Sequence, residues 1–278
     1  MNHFEWTWDS KGRKVYAQGW TPANVRGVVC LVHGFAEFSD RYEHVAKYLC
    51  DAGFAVLAFD QLGHGKTTGK RGHADYEDML DNVKVLLQEA DTRFPGLPNF
   101  LYGHSMGGNI VTNFLLKRQP KNVKAAVVTG PLFKLGFEPP AFKVFLAKLM
   151  VNIYPAFTEK SELDADAISR DKEEVRKYIS NPMMLKVITA GLFLGFYKAG
   201  KYAIEHANDL NVPMLLMHGT ADRLTSPKGT QEFVANNKTG LATLKLWDGC
   251  YHELHNELAE DRAQVLNYIV NYLNNFVQ

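Results

Sequence analysis

Short, almost purely apolar runs, each followed by a helical pattern, are the feature that most restricts how this 278-residue chain can fold. The runs cover residues 27–32, 54–59, 99–103, 123–128 and 213–218. Strands without polar alternation are buried on both faces, as happens when helices cover both sides of a parallel sheet. The pattern therefore predicts the α/β class, with a mostly parallel sheet flanked by helices.

The segments around these runs complete the predicted sheet. Helical patterns cover residues 41–52, 76–94, 106–118, 227–236 and 260–276. Residues 1–20 are rich in tryptophan and predict an antiparallel hairpin at the sheet edge, and residues 242–247 predict a final strand.

The alternation stops between the sixth predicted strand and residue 209. Two apolar helical patterns and a polar run between them fill this gap, at residues 141–153, 185–199 and 158–176. Ligands bind at the carboxyl edge of open α/β sheets, so an insertion there can cover a site. The sequence predicts a core made of residues 1–130 and 209–278, and a helical cap made of residues 131–208.

Residues 103–107 read Gly-His-Ser-Met-Gly and match the G-x-S-x-G nucleophile elbow. A glycine-rich turn can match these five letters by chance, so the context decides. The motif lies where the apolar run at 99–103 meets the helical pattern at 106–118. A sharp turn there exposes a serine hydroxyl, and glycines let the two backbones approach. Ser105 is the predicted nucleophile.

A serine hydroxyl needs an imidazole to take its proton, and the imidazole needs a carboxylate to orient it. On scaffolds with this elbow, the acid and then the histidine follow the serine along the chain. His252, in the loop after the last predicted strand, is the predicted base, with His255 as its competitor. Asp222, in the loop after the strand at 213–218, is the predicted acid.

Other candidates for the acid and base fit this arrangement less well. Asp209 precedes its strand and belongs at the opposite edge of the sheet, while Asp248 is too close in sequence to His252 to converge easily. His218 ends a strand, and we interpret it as a core or edge histidine satisfied by the backbone.

Acyl transfer creates an oxyanion that needs preorganised N–H donors. The predicted donors are the backbone N–H of Met106, after the nucleophile, and that of Phe35, in the loop after an early strand. No metal or cofactor is expected. His252 and His255 are three residues apart rather than the four of the zinc-helix motif.

The charge and apolar content limit the partners and the compartment. A formal net charge of +1 gives no electrostatic support for a nucleic-acid partner. The longest apolar stretch, 188–197, is much shorter than the roughly 20 residues of a membrane-spanning helix, and residues 1–10 do not resemble a signal peptide. We expect a cytoplasmic protein, with peripheral membrane contact through the helix at 141–153 left open.

Five segments together resemble the monoacylglycerol lipases and lysophospholipase-like serine hydrolases of the α/β-hydrolase superfamily. They are residues 33–49, 59–73, 102–108, 218–229 and 251–257. The resemblance implies the α/β-hydrolase fold and a Ser105, Asp222 and His252 triad. It also implies hydrolysis of a small lipid ester, a monoacylglycerol, to fatty acid and glycerol. The chain departs from animal members at Phe35, where they carry a smaller residue.

The resemblance further implies a polar pocket for the glycerol head. The matching positions are Glu37, Arg41, His104, Tyr178 and His255. Two free hydroxyls need hydrogen-bond donors and acceptors, whereas the acyl chain suits the apolar residues of the predicted cap. His255 then binds substrate and is not a second base.

Three alternative functions stay open from the sequence. One is a lysophospholipase or another small-lipid carboxylesterase, which Arg41 beside Glu37 leaves possible. The second is a peptidase or amidase on the same scaffold. The third is a catalytically silent binding protein, against which the complete Ser, Asp and His set argues.

Overall fold

The computed structural model describes residues 1–161 and 163–277, with all their side chains except that of Lys143. Within these residues the strands are β1 Asn2–Ser10, β2 Arg13–Thr21, β3 Gly27–Val32, β4 Phe54–Phe59, β5 Asn99–His104, β6 Val123–Thr129, β7 Thr158–Lys160, β8 Val187–Thr189, β9 Met214–Gly219 and β10 Ala242–Trp247. Eight of them form one sheet in the order β1-β2-β4-β3-β5-β6-β9-β10.

The sheet is parallel from β4 to β10, and the hairpin of β1 and β2 joins its edge antiparallel to β4. The predicted mostly parallel sheet and its edge hairpin are therefore confirmed. Because parallel strands end at the same edge, the loops after β3, β5, β9 and β10 meet there.

Helices cover both faces of the sheet. The helices of the described residues are α1 Glu43–Asp51, α2 Tyr76–Arg93, α3 Met106–Arg118, α4 Ala141–Ile153, α5 Lys172–Ser180, α6 Ala190–Glu205, α7 Pro227–Asn236 and α8 Ala259–Asn274. Val28, Cys30 and Val32 of β3 pack with α2 and α3 on one face, and Val29 and Leu31 pack with α1 and α8 on the other. This alternation explains why the run is apolar at every position.

Several element boundaries differ from the sequence prediction. The helix expected from residue 41 begins with a 3₁₀ turn, Ser39–Tyr42, before α1. The helix expected at 185–199 is confirmed from residue 190 onward as α6, but its predicted start was wrong, since β8 lies within residues 185–189. The Thr189 hydroxyl, which accepts from the Leu192 N–H, fixes the start of α6.

The polar run at 158–176 also carries structure that the sequence analysis missed. Its first residues form β7, which pairs antiparallel with β8. Its last residues begin α5, where the Asp171 side chain accepts from the Glu173 N–H. Throughout the described part of the chain, no helix has both the length and the apolar character needed to cross a bilayer.

Candidate active site

Ser105 stands at the turn between β5 and α3, in a backbone conformation that only glycine adopts freely. Its φ is +54° and its ψ is −118°. The surrounding backbone holds it there, because its N–H donates to the Thr129 carbonyl (2.9 Å) and its carbonyl accepts from Asn109 and Leu132. Strain of this kind persists only where the fold enforces it, and it is common at catalytic turns.

Packing requires glycine at position 107 of the elbow. A Cβ atom on Gly107 would lie 2.0 Å from the Val32 carbonyl oxygen and 2.5 Å from that of His33. The first turn of α3 thus lies directly against the end of β3. This contact brings the loop that follows β3, which contains Phe35, beside the nucleophile.

Asp222 and His252 meet at the same edge of the sheet. The His252 Nδ1 donates to Asp222 Oδ2 at 2.7 Å, and both side chains are buried. Because an ionised carboxylate only accepts, the proton of the neutral imidazole is on Nδ1 and Nε2 is an acceptor. That is the tautomer a general base for Ser105 requires.

Burial and charge act in opposite directions on this pair. Burial alone would raise the pKa of Asp222, but His252 and the hydrogen bond from His218 hold it well below its usual range. Burial alone would lower the pKa of His252, yet the Asp222 carboxylate raises it above its ordinary value. Asp222 is therefore ionised at neutral pH.

Two further side chains contact the acid, and neither was predicted from the sequence. His218 Nε2 donates to Asp222 Oδ2 at 3.0 Å, and Thr225 Oγ1 lies 2.9 Å from the same oxygen. The other His218 nitrogen contacts the Thr230 hydroxyl at 2.8 Å. His218 is buried, as interpreted, and its Nε2 lies 3.3 Å from the Thr225 carbonyl oxygen, but its shorter contacts are to side chains, which the interpretation did not include. Its four-residue spacing from Asp222, across the turn after β9, was the available signal.

The two predicted oxyanion donors come from the elbow itself and from the loop after β3. Met106 is the first residue of α3, so its N–H has no acceptor within the helix. Phe35 precedes Ala36, a non-glycine residue with φ of +68° whose carbonyl accepts from Leu185 of the segment before α6. The Phe35 ring packs edge-on against His64, with centroids 5.7 Å apart.

Ser105 and His252 open onto a cavity of about 180 Å³. Apolar side chains from the loop after β3, the segment after β6, α4 and α6 form most of its wall, among them Phe35, Leu132, Leu135, Phe137, Met150, Phe193 and Phe196. An apolar chain attached to a reacting carbonyl fits this chemistry.

The five predicted glycerol-pocket residues form two groups of contacting side chains, Glu37, Arg41 and Tyr178 in one and His104 and His255 in the other. Arg41 Nη1 donates to Glu37 Oε2 at 2.8 Å, and the Tyr178 ring lies 5.3 Å from the Arg41 guanidinium carbon. The His104 ring is within 4.8 Å of both the His252 and His255 rings. Arg41 lines a second cleft, whereas the wall of the apolar cavity is made by other residues.

Glu253 completes this polar group and was missed by the sequence analysis. Its two carboxylate oxygens accept from Arg41 Nη1 and Nη2 at 2.7 and 2.8 Å, and Asn256 donates to Oε2. No spacing rule relates positions 41 and 253, so only the folded chain shows the pair. Glu37, Arg41, Glu253, His104, Tyr178 and His255 are called the polar cluster below.

The sheet order, the elbow and the convergence of its loops define the α/β-hydrolase fold. Within that fold, the chain belongs to the family described as serine aminopeptidase S33, whose model matches residues 23–259. The resemblance found in the sequence is thereby confirmed at the level of the family.

Individual relatives agree with this assignment. The chain is 35% identical over 267 residues to the monoacylglycerol lipase of Mycolicibacterium smegmatis, covering 94% of this chain and 95% of that protein. The crystal structure of Paleococcus ferrophilus monoacylglycerol lipase superposes with a TM-score of 0.86 at 32% identity, covering 93% and 98% of the two chains. The chain spans 27% of the length of an uncharacterized abhydrolase domain-containing protein of Dictyostelium discoideum, at 32% identity over 257 residues and 91% of this chain.

Proposed function

We propose that this protein is a monoacylglycerol lipase, a carboxylic ester hydrolase that releases fatty acid and glycerol through an acyl-enzyme on Ser105. The main support is one juxtaposition. Ser105 and His252 share the wall of an apolar cavity, while Glu37 and His104 of the polar cluster lie close to Ser105 and His252, respectively. Two relatives that match nearly the whole chain are named monoacylglycerol lipases.

The proposed reaction uses the side chains in a fixed order. His252 Nε2 takes the proton of Ser105 Oγ as the oxygen attacks the ester carbonyl. The backbone N–H groups of Met106 and Phe35 hold the oxyanion. The imidazolium, stabilised by Asp222, then gives its proton to the departing glycerol oxygen. Water, deprotonated by His252, attacks the acyl-enzyme, and the fatty acid leaves as Ser105 recovers its proton.

We further propose that residues 131–208 form a cap over a core made of residues 1–130 and 209–278. In support, α4 and α6 supply much of the apolar cavity wall, and the Leu185 N–H donates to the Ala36 carbonyl beside Phe35. The acyl chain of the substrate would lie between the cap and the elbow.

Contact with a membrane surface through α4 is part of this proposal. Phe142, Phe145 and Ile153 leave 67%, 69% and 70% of their surfaces exposed. Exposed apolar side chains on one helix suit insertion into the headgroup boundary, where a lipid substrate is delivered. A cytoplasmic protein bound peripherally to membranes is the corresponding proposal for its location. F142S/F145S should lower binding to phospholipid vesicles without changing hydrolysis of a short dissolved ester.

The decisive test is a substrate panel with one acyl chain. It compares glycerol release from a monoacylglycerol with turnover of a lysophosphatidylcholine, a triacylglycerol, an acyl amide and a p-nitrophenyl ester. Preference for the monoacylglycerol supports the proposal, and turnover of the p-nitrophenyl ester alone refutes the lipase assignment. S105A should fold but lose turnover and labelling by a fluorophosphonate, and unlabelled wild-type protein would instead indicate a silent binding protein.

A further inference from the structure

Arg41 and Glu253 form a buried, bidentate ion pair within the polar cluster. The guanidinium donates from both Nη atoms to the two oxygens of Glu253, and the side chains are 10% and 4% exposed. Nη1 also reaches Glu37 Oε2, and the face of the guanidinium lies over Tyr178. The fork formed by Nη1 and Nη2, one of the two with which arginine binds a phosphate, is therefore already occupied by carboxylates.

The charges of the polar cluster do not cancel. Burial alone would raise the pKa of Glu253, but Arg41 holds it well below its usual range. Glu37 accepts from the Gly34 N–H, the Tyr42 hydroxyl and Arg41, which is a set of donors that suits a carboxylate. One guanidinium thus faces two carboxylates, and the cluster carries a net charge of −1.

The remaining titratable groups of the cluster leave this charge unchanged. Burial lowers the pKa of His104 to about 3 and moves that of His255 in the same direction, so both rings are neutral at neutral pH. His44, stacked on His255, also has its pKa lowered by burial, and burial raises the pKa of Tyr178. Asp222 adds a second negative charge nearby.

This excess negative charge lies close to Ser105, and the proposed function assigns the alcohol part of the ester to the polar cluster. A Cβ atom on Gly34 would be 2.7 Å from Glu37 Oε1 and 3.0 Å from Ser105 Cβ, so one backbone position separates the cluster from the nucleophile. The His104 ring fills the space between His252 and His255, with centroid distances of 4.7 and 4.8 Å. The site is buried, so solvent screens the charge poorly.

We propose that Glu253 is a specificity-determining residue that excludes esters with an anionic head group. The inference rests on the proposed function and names the alcohol class that the site accepts, which is neutral or cationic. A phosphate next to the cluster would meet two carboxylates and an arginine whose Nη1–Nη2 fork is already bound to them. To bind that fork it would have to separate Arg41 from Glu253, which leaves a buried charge unpaired. A glycerol head carries no charge and needs only hydrogen bonds.

The test compares octanoyl esters dissolved below their micellar concentration, so that surface effects do not enter. The alcohol parts are glycerol, glycerol 3-phosphate, choline and ethanol. In the wild-type protein, kcat/KM for the glycerol and choline esters should exceed that for the phosphate ester. E253Q should reduce the preference for glycerol over glycerol phosphate at least about tenfold, since charges a few ångströms apart inside a protein interact by that much.

Matched variants separate charge from shape and keep the test valid if E253Q folds poorly. E253D keeps the charge and should keep the preference. E174Q removes a carboxylate that lies outside the cluster and pairs with Lys177 on the rim of the second cleft. This variant should also keep the preference for the glycerol ester. The wild-type order of the four esters needs no variant.

The outcomes distinguish the inference from the proposed function. Equal wild-type rates on the glycerol and glycerol phosphate esters would overturn the inference and leave the lipase assignment intact. An unchanged preference in a folded E253Q would overturn it as well. Turnover of ethyl octanoate without turnover of the glycerol ester would instead overturn the proposed function.

Discussion

Replacing Asp222 by asparagine changes one atom in a densely bonded site, which makes its consequence calculable. Asp222 Oδ1 accepts from the Leu224 and Thr225 backbone N–H groups at 2.8 and 3.0 Å. Oδ2 faces His252 Nδ1, His218 Nε2 and the Thr225 hydroxyl. In D222N the amide oxygen keeps the backbone donors, so the NH₂ group takes the place of Oδ2.

The new NH₂ group donates where the carboxylate accepted, and His252 responds by changing its tautomer. Nδ1 becomes the acceptor and the proton moves to Nε2, the nitrogen that must take the proton of Ser105. A wrong tautomer in a triad of this kind lowers kcat by about 10⁴. That corresponds to about 5 kcal/mol of lost transition-state stabilisation.

Hydrolysis of a short p-nitrophenyl ester measures this effect, with circular dichroism to confirm folding. The matched control is D248N. Asp248 is an exposed acid directly after β10 that accepts a hydrogen bond from the Thr220 hydroxyl, and its replacement should leave kcat nearly unchanged. Retention of more than about a tenth of the activity in D222N would refute the tautomer argument, given the expected 10⁴. An equal loss in D248N would identify Asp248 as the acid.

Three further predictions follow from the same site. His252 must be neutral to act as base, and Asp222 raises its pKa. We therefore expect kcat/KM to fall as the pH drops through a midpoint above the ordinary histidine value of about 6.5. A midpoint below that value in the pH profile would contradict this. G107A should lower kcat more than about a hundredfold and reduce the melting temperature, since the added Cβ atom would lie 2.0 Å from the Val32 carbonyl oxygen. Unchanged kinetics and an unchanged melting temperature would show that α3 shifts without loss of stability. F35A should shift the preference to longer acyl chains while keeping kcat on a short ester, because the ring lines the cavity but only the backbone N–H binds the oxyanion. A loss of kcat confined to the short ester would argue against these separate roles of the ring and the backbone.

Much of the fold was predictable because its determinants are local. The bounds of β3, β4, α3, α4 and α7 agree with the sequence prediction. Errors occur where weak local signals compete with tertiary pairing. β8 exists because it pairs with β7, so three residues that read as a helix form a strand.

The candidate triad was proposed from chain order and from the position of each residue after a strand. Position after a strand predicts which edge of the sheet a side chain occupies, because all parallel strands end together. It does not predict hydrogen-bond partners. Asp222 was expected to meet one histidine, and the structure places two on the same oxygen.

The sequence by itself determined the α/β class, the elbow at Ser105 and the loops that surround it. These follow from backbone periodicity and from steric requirements within a few residues. The tertiary structure alone decided how the buried charges pair. Arg41 and Glu253 are 212 positions apart, and neither pattern nor spacing connects them. Their contact depends on two loops converging in a buried place, where an unpaired charge would be costly and each group must find its partner.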